Sequence, residues 1–517
     1  MRVGLVVIAA LGAFALLRSD IWTRCFFSRI DPRPAGLLRI AVGAVTLWTF
    51  LALGRYVRLF FSDEGLLLPG MAREISRGPL RYLWDPVRGF EHWWSPLQAL
   101  VGSSSILHLK SDPWLVFTLY GLLLVSAALL TVGAWTRISA VATWALAEQL
   151  YRYDPTFANG GDLVIRAFLF LGMLSGWGEA HSVDAWRRRR RALLAGATEI
   201  PPFRRIAAWP LRLMMVQLTV IYFVNGAMKT GEAWRNGTAL YYALNLDHFY
   251  RVPAQNVVTW LQWLGVLPVL TWLTRYWELC FPLALLGAAL RAYEAERAAG
   301  RWESVPAWQR IGSWAALGLG SGAAVAMAYD EITAAVAGVA AALVIVLYRR
   351  LRARAPGAHR VLLHWALGKR VWLGFGLGVH LGIEAGMNIG TFPQIMVATY
   401  LAWLTGPEVE AFWRALLARV PRVAVRHHPG EAGIRQAALL RLFDHGGRLD
   451  FVADPSARPG ALRVEQRATA AALDGWRAAL ALLDVLPTLW WLRPARWIPP
   501  LRAPAGRLAL RLLGQDA

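Results

Sequence analysis

Apolar stretches long enough to cross a bilayer recur along most of this chain, and arginine gathers between them. A hydrocarbon core about 30 Å thick asks for roughly 20 apolar residues per helical crossing, so the pattern leaves few soluble folds open. Such stretches run near 36–53, 114–134, 138–151, 163–178, 207–226, 257–290, 310–328, 332–348, 371–388 and 391–405. They predict a mainly α, polytopic helical membrane protein with about ten spans. Composition agrees: 56% of the 517 residues are hydrophobic and mean hydropathy is +0.39. Both depart from soluble averages in the direction that long apolar stretches cause.

A net charge of +22 spread over a soluble domain would suggest nucleic acid. Here the arginines occupy short segments between apolar stretches, as the positive-inside bias predicts, so the bilayer is the expected partner and nucleic acid is not. Segments 18–39, 187–191 (five consecutive arginines) and 349–370 all lie in the cytoplasm only if 257–290 crosses once. On that topology the 54–113 loop, the 152–162 turn and the stretch after Gly226 face the other side. Asn159 and Lys229 then share the non-cytoplasmic face of the cell membrane, and everything after Thr405 is cytoplasmic. Residues 1–28 form a hydrophobic segment that reads as a signal anchor or a short first span. Cys25 and Cys280 lie too far apart in sequence to suggest a disulfide framework or a thiolate metal site.

Ionisable groups inside spans are costly and ask for a partner or a function. Asp162 and Arg166 are spaced i,i+4 and are expected to pair on one helix face; His380 and Glu384 have the same spacing. Glu148, Arg275 and Glu278 complete the set. Such pairs either lock helices in register or build a site. His380 and Glu384 also have the spacing of two metal ligands on a helix, but no matching third ligand follows, and no metal is expected. In Asn159-Gly160-Gly161-Asp162 the aspartate is placed to cap the next helix, or these residues floor a polar pocket.

Only Lys110, Lys229 and Lys369 are lysines, so of 55 basic residues 52 are arginine. Arginine is always charged, whereas a lysine desolvated by apolar neighbours can release its proton and act as a base. Lys229 follows an apolar stretch in "YFVNGAMKTGEAWRNGTALYYAL", Tyr222 to Leu244. It reads either as a snorkelling lysine at a span end or as a catalytic base.

That stretch resembles a motif of the vitamin K-dependent gamma-carboxylase family and its HTTM-domain relatives, with Gly226, Lys229, Trp234 and Gly237 on the matching positions. "RIDPRPAGLLRIAVG" (from Arg29), "FFSDEGLLLP" (from Phe60), "HSVDAW" (from His181) and "VHLGIEAGMNIGTFPQIMVATYLAWL" (from Val379) are similar to further family segments in the same order. The resemblance covers about 29–405. It implies a reduced quinone of vitamin K or menaquinone type, O2 and CO2, with Lys229 as the base that deprotonates the hydroquinone. Asn159, Asp162, Trp234 and His380 would line the quinone site. Two family features are absent: the animal enzyme's Asn-Asn-His is Asn159-Gly160-Gly161-Asp162 here, and its large external β-rich domain has no counterpart. A glutamate delivered by propeptide is therefore not expected. The alternatives are a non-catalytic membrane scaffold or an export or immunity partner of the same fold, and a secondary transporter, for which no internal repeat is seen.

After 405 the composition changes. Within 420–517 the order strand, helix, strand, helix reads as a small α/β unit: "RVAVRHH", "GIRQAALLRLF", "RLDFVAD", "GWRAALALLDVL". It resembles the DCC family of thioredoxin-like domains. The two cysteines of that family's signature align with Ala432 and Arg435, so thiol chemistry is excluded and a structural or partner-binding remnant is expected.

Overall fold

The computed structural model describes residues 2–68, 70–72, 75, 105–197, 199–249, 251, 255–328, 331–457, 462–466 and 471–513. Most of the loop expected over 54–113 lies outside them. The chain is mainly helical with a small sheet. Its main helices before the tail are α1 (Arg2–Leu17), α2 (Arg33–Leu53), α3 (Pro113–Val132), α4 (Thr136–Tyr153), α5 (Gly160–Met173), α6 (Val183–Leu194), α7 (Trp209–Met228), α8 (Gln255–Trp263), α9 (Val266–Cys280), α10 (Pro282–Ala298), α11 (Ala307–Ala328), α12 (Glu331–Arg354), α13 (Lys369–Gly386), α14 (Phe392–Thr399) and α15 (Gly406–Leu416). Two short strands, β1 (Arg29–Ile30) and β2 (Ile206–Ala207), pair antiparallel and bring the starts of α2 and α7 together.

By length and composition, three helices among the described residues can cross a membrane: Arg33–Phe61, which extends α2, then α3 and α7. The apolar stretch 257–290 is not one helix. It breaks at Gly265, which has φ +74°, and again at the Phe281–Pro282 junction, where proline starts α10. The 391–405 stretch is helical only to Thr399 before tightening into a 3₁₀ turn over Tyr400–Trp403. Outward faces carry large apolar side chains, such as Trp48, Trp114, Ile138 and Val220, between 48% and 75% exposed. Inward faces pack α2, α5, α7 and α14 around Leu38, Phe168, Leu218 and Ile395. Hydroxyls join helices inside, with Thr143 donating to Ser126 at 3.1 Å and Thr49 meeting Thr391 at 2.6 Å. An apolar exterior over a hydroxyl-linked interior suits a lipid solvent.

Arg39 is fully buried on α2 and donates to four main-chain carbonyls: Leu130 at 2.5 Å, Thr131 at 2.8 Å, Trp177 at 3.3 Å, and His181. Two of these are end carbonyls of α3, which lack partners inside their own helix. Gly133 closes that helix with φ +72°, and a Cβ there would lie 2.5 Å from the Arg39 guanidinium. Asp184 completes the corner by accepting from the backbone nitrogens of Trp135 (3.0 Å) and Thr136 (2.7 Å) at the start of α4.

The tail holds β3 (Val423–His427), α16 (Glu431–Arg441), β4 (Leu449–Ala453), β5 (Arg463–Gln466), β6 (Ala471–Asp474), α17 (Gly475–Leu482) and α18 (Pro499–Leu513). The sheet order is β4-β3-β5-β6, with β3 and β4 parallel and the other pairs antiparallel. The expected strand-helix-strand-helix order is present, and β5 and β6 are additions that the sequence pattern did not signal. The tail packs on α6 through Leu193, Leu439 and Leu442. There the half-buried rings of His181 and His445 meet edge-on, centroids 5.2 Å apart.

Burial pushes His181 down to about 3 and His445 to about 4, further lowered by each other's proximity for His181 and by Arg189 for His445. Arg39 and Arg33 act on His181 in the same direction, and Asp31 opposes them. Both imidazoles are therefore neutral in the fold at pH 7, while the unfolded chain titrates near 6.5. Between that value and about 4 the unfolded state binds more protons, so stability falls as pH falls and is flat above 7. Thermal unfolding in detergent should drop by about 5 °C or more from pH 7 to pH 5, and the double variant His181→Gln, His445→Gln should flatten that slope. Replacing Arg39 by methionine should cost about 3 kcal/mol or more, because buried carbonyls lose their donors. Lysine at this position has too few donors to restore stability; full rescue by Arg39→Lys would refute the carbonyl-cage account.

Candidate functional site

In its last turn, at Gly226, α7 passes hard against α9: a Cβ on Gly226 would sit 2.4 Å from the Leu279 nitrogen. That approach carries the residue after the helix, Lys229, to the Glu278 carboxylate, with which its ammonium forms a hydrogen-bonded ion pair. Lys229 also closes the carbonyl end of α7, where a cation is favoured. Trp234, on the short helix Glu232–Arg235, lays its ring under the ammonium, 4.6 Å from the Nζ to the centroid. Both charges are mostly buried, at 20% and 11% side-chain exposure, so neither is free to drift into solvent.

One turn back on α7, Tyr222 is buried, with its ring 4.6 Å from Trp277, the neighbour of Glu278. Its hydroxyl meets the His380 Nε2 at 2.7 Å and the Tyr400 hydroxyl at 2.6 Å. The other ring nitrogen of His380, Nδ1, is buried with no hydrogen-bond partner. Phe392 packs on the His380 ring at 5.6 Å and closes over Gly160 and Gly161 at the entry to α5. Asn159 caps that entry, its Oδ1 accepting from Gly161 at 2.7 Å.

Lys229, Trp234 and His380 thus gather at one end of α7, α9 and α13, and Asn159 joins them through Phe392. Asp162 does not join. Its carboxylate accepts from the Asn159 backbone nitrogen (2.8 Å) and from the Tyr151 hydroxyl (2.8 Å), so it caps the helix. The expected pair between Asp162 and Arg166 is not formed: Arg166 binds Glu148 of α4 instead, at 2.7 and 2.8 Å. His380 and Glu384 do not pair either, because Glu384 is held by Arg251 and Gln394, both at 2.8 Å. An i,i+4 spacing puts two groups on one face, and a better-placed partner from outside the helix takes one member of the pair in each case. Glu278, Tyr222 and Tyr400 were not among the residues expected to form the site. Glu278 was visible only as a charge without a local partner, and Tyr222 opened the lysine-bearing stretch. Among the described residues no three His, Cys, Asp or Glu side chains gather as metal ligands do.

The lysine–glutamate pair can hold or exchange one proton, and the tyrosine–histidine chain, linked to it through Tyr222 and Trp277, leaves one ring nitrogen of His380 unused. Comparison with known proteins finds no matching family model, curated protein or solved structure.

Lys229→Met and Glu278→Gln should each destabilise the protein by about 2 kcal/mol, and the double variant by clearly less than their sum. Additive losses in thermal unfolding would mean that the two side chains do not work as a pair.

Proposed function

We propose that this chain is a polytopic membrane protein with about ten crossings that binds a reduced quinone of vitamin K or menaquinone type and takes a proton from its hydroxyl. The observation that carries the reading is the mostly buried Lys229–Glu278 pair at the end of α7, the helix whose Tyr222 holds His380 by Nε2 and leaves its Nδ1 unpartnered. The Lys229 ammonium passes a proton to the Glu278 carboxylate. The resulting neutral amine then accepts the proton of a hydroquinone O–H, leaving the hydroquinone anion, a lysine ammonium and a protonated glutamate. Glu278 is the net proton store and Lys229 the group that touches the substrate. His380 Nδ1–H donates to the second quinone oxygen, with Nε2 held by Tyr222, and the Trp234 ring supplies a flat apolar wall.

The resemblance to the vitamin K-dependent carboxylases supplies the rest. By that resemblance, the quinol when bound would supply reducing equivalents to O2, one oxygen atom entering the epoxide and the other leaving as water, and the base generated in that oxidation would remove a carbon-bound proton ahead of CO2 addition. Lys229 faces the non-cytoplasmic side on the topology that the arginine segments favour. In the tail, the parallel β3–α16–β4 unit with an antiparallel β5–β6 edge supports the thioredoxin-like reading. Ala432 and Arg435 fall in the first two turns of α16. A non-catalytic scaffold is the second reading, favoured by one observation: Glu278 already satisfies the lysine charge, as a purely structural pair would.

The test is to purify the protein in detergent, supply reduced menaquinone in air, and measure epoxide by chromatography with mass detection. Wild type should form epoxide, and Lys229→Ala should form about 100-fold less. Equal epoxide from both would overturn the lysine-base reading, and failure of wild type to bind the quinol would favour the scaffold.

A further inference from the structure

A cavity of about 810 Å³ lies where the tail meets the helical domain, bounded by α2, the end of α3, α6 and the segments Leu442–His445 and Pro487–Trp491. Its walls are mostly apolar, with Leu37, Ile40, Val132, Leu442, Leu489 and Leu512 among them. It is within the size range of small-molecule sites, roughly 300–1,000 Å³. It is remote from Lys229, at the opposite end of α7.

Three of its lining residues carry a buried ring nitrogen with no hydrogen-bond partner: His181 Nε2, Trp186 Nε1 and Trp413 Nε1. An indole N–H is a donor only, so two of the three ask for an acceptor. Arg189 is the one fully charged residue of the wall. Its Nε donates to the Pro201 carbonyl at 2.9 Å and its guanidinium lies 4.3 Å over the Phe203 ring. Among the described residues no carboxylate forms an ion pair with it. A desolvated cation beside unpaired donors in an apolar chamber calls for an anion that carries its own apolar body. Buried polar groups left in this state are uncommon in native folds. The setting agrees, since α6 holds five consecutive arginines, Arg187 to Arg191, which draw acidic lipid headgroups to this face.

We propose that this cavity binds an anionic amphiphile, with a carboxylate or phosphate against Arg189, Trp186 and Trp413 and an apolar chain along the leucine-lined walls. The headgroup accepts from the two indole N–H groups and the guanidinium, and the chain fills the space between α2 and the tail. The tail, whose thiol positions are Ala432 and Arg435, then serves as the lid of a lipid site.

Two sources carry this chemistry, a free fatty acid and an anionic phospholipid. The full chain, purified in detergent or placed in nanodiscs, is exposed to a diazirine-bearing palmitate or to phosphatidic acid with a diazirine chain, irradiated, and mapped by peptide mass spectrometry. Labels should fall on 442–445 and 487–491 with one or both probes, and the probe that labels identifies the source. Unlabelled palmitate should compete at least about 10-fold better than the alcohol of the same chain length. Arg189→Gln should weaken labelling about 10-fold, and Trp413→Phe, which keeps an aromatic ring while removing the N–H, by a smaller factor in a protein that still unfolds cooperatively. Equal competition by acid and alcohol, labels confined to the outer faces of α3 and α4, or unaltered labelling in a folded Arg189→Gln or Trp413→Phe protein would each overturn the proposal.

Discussion

One guanidinium holds this fold's main corner in place. Main-chain oxygens from the carbonyl end of α3, the turn after α5 and the residue before α6 converge on one point, and Arg39 reaches all four of them from α2. Arginine is suited to this because its five N–H donors spread in one plane, whereas lysine offers three from one point. With the carbonyls gathered, Gly133 can turn left-handed against the guanidinium and Asp184 can close the start of α4. The position of His181, and with it the wall of the cavity beneath the tail, follows from that corner. A chain that uses arginine almost exclusively for its positive charge has put one of them where no other side chain would serve.

The two polar centres sit at opposite ends of α7, which at 20 residues is about 30 Å long. At its start β1 and β2 bind it to α2, and the tail docks nearby through α6. At its far end Gly226 presses it against α9 and delivers Lys229 to Glu278. α7 therefore fixes the spacing between a cationic, lipid-facing end and a lysine–glutamate end without any contact between them.

Much of the helix layout was legible because apolar length is a local property: 114–134, 138–151 and 207–226 became α3, α4 and α7 with ends shifted by a few residues. Within 257–290 the break at Pro282 is legible from the proline itself, whereas the one at Gly265 is hidden, since glycine turns the chain without marking a gap in hydrophobicity. The ion pairs were less readable. Spacing brings Asp162 near Arg166, but whether Arg166 prefers Glu148 depends on how α4 leans against α5. Lys229 stood out by its rarity, its place after an apolar stretch and the motif around it, but its partner is 49 residues away on another helix, beyond any periodic signal. The cavity was invisible to sequence for the same reason: its walls come from eight separated segments.

Helix α9, which carries Glu278, is 15 residues long and so spans about 22 Å. That is several ångströms less than a typical hydrocarbon core of about 30 Å, and the helix is stopped at both ends by backbone breaks rather than by polar sequence. By length, then, α9 does not join the three helices able to cross a membrane. Glu278 lies two residues from its last residue, Cys280, so the pair it forms with Lys229 joins the ends of two helices and puts neither of its charges in the middle of an apolar run.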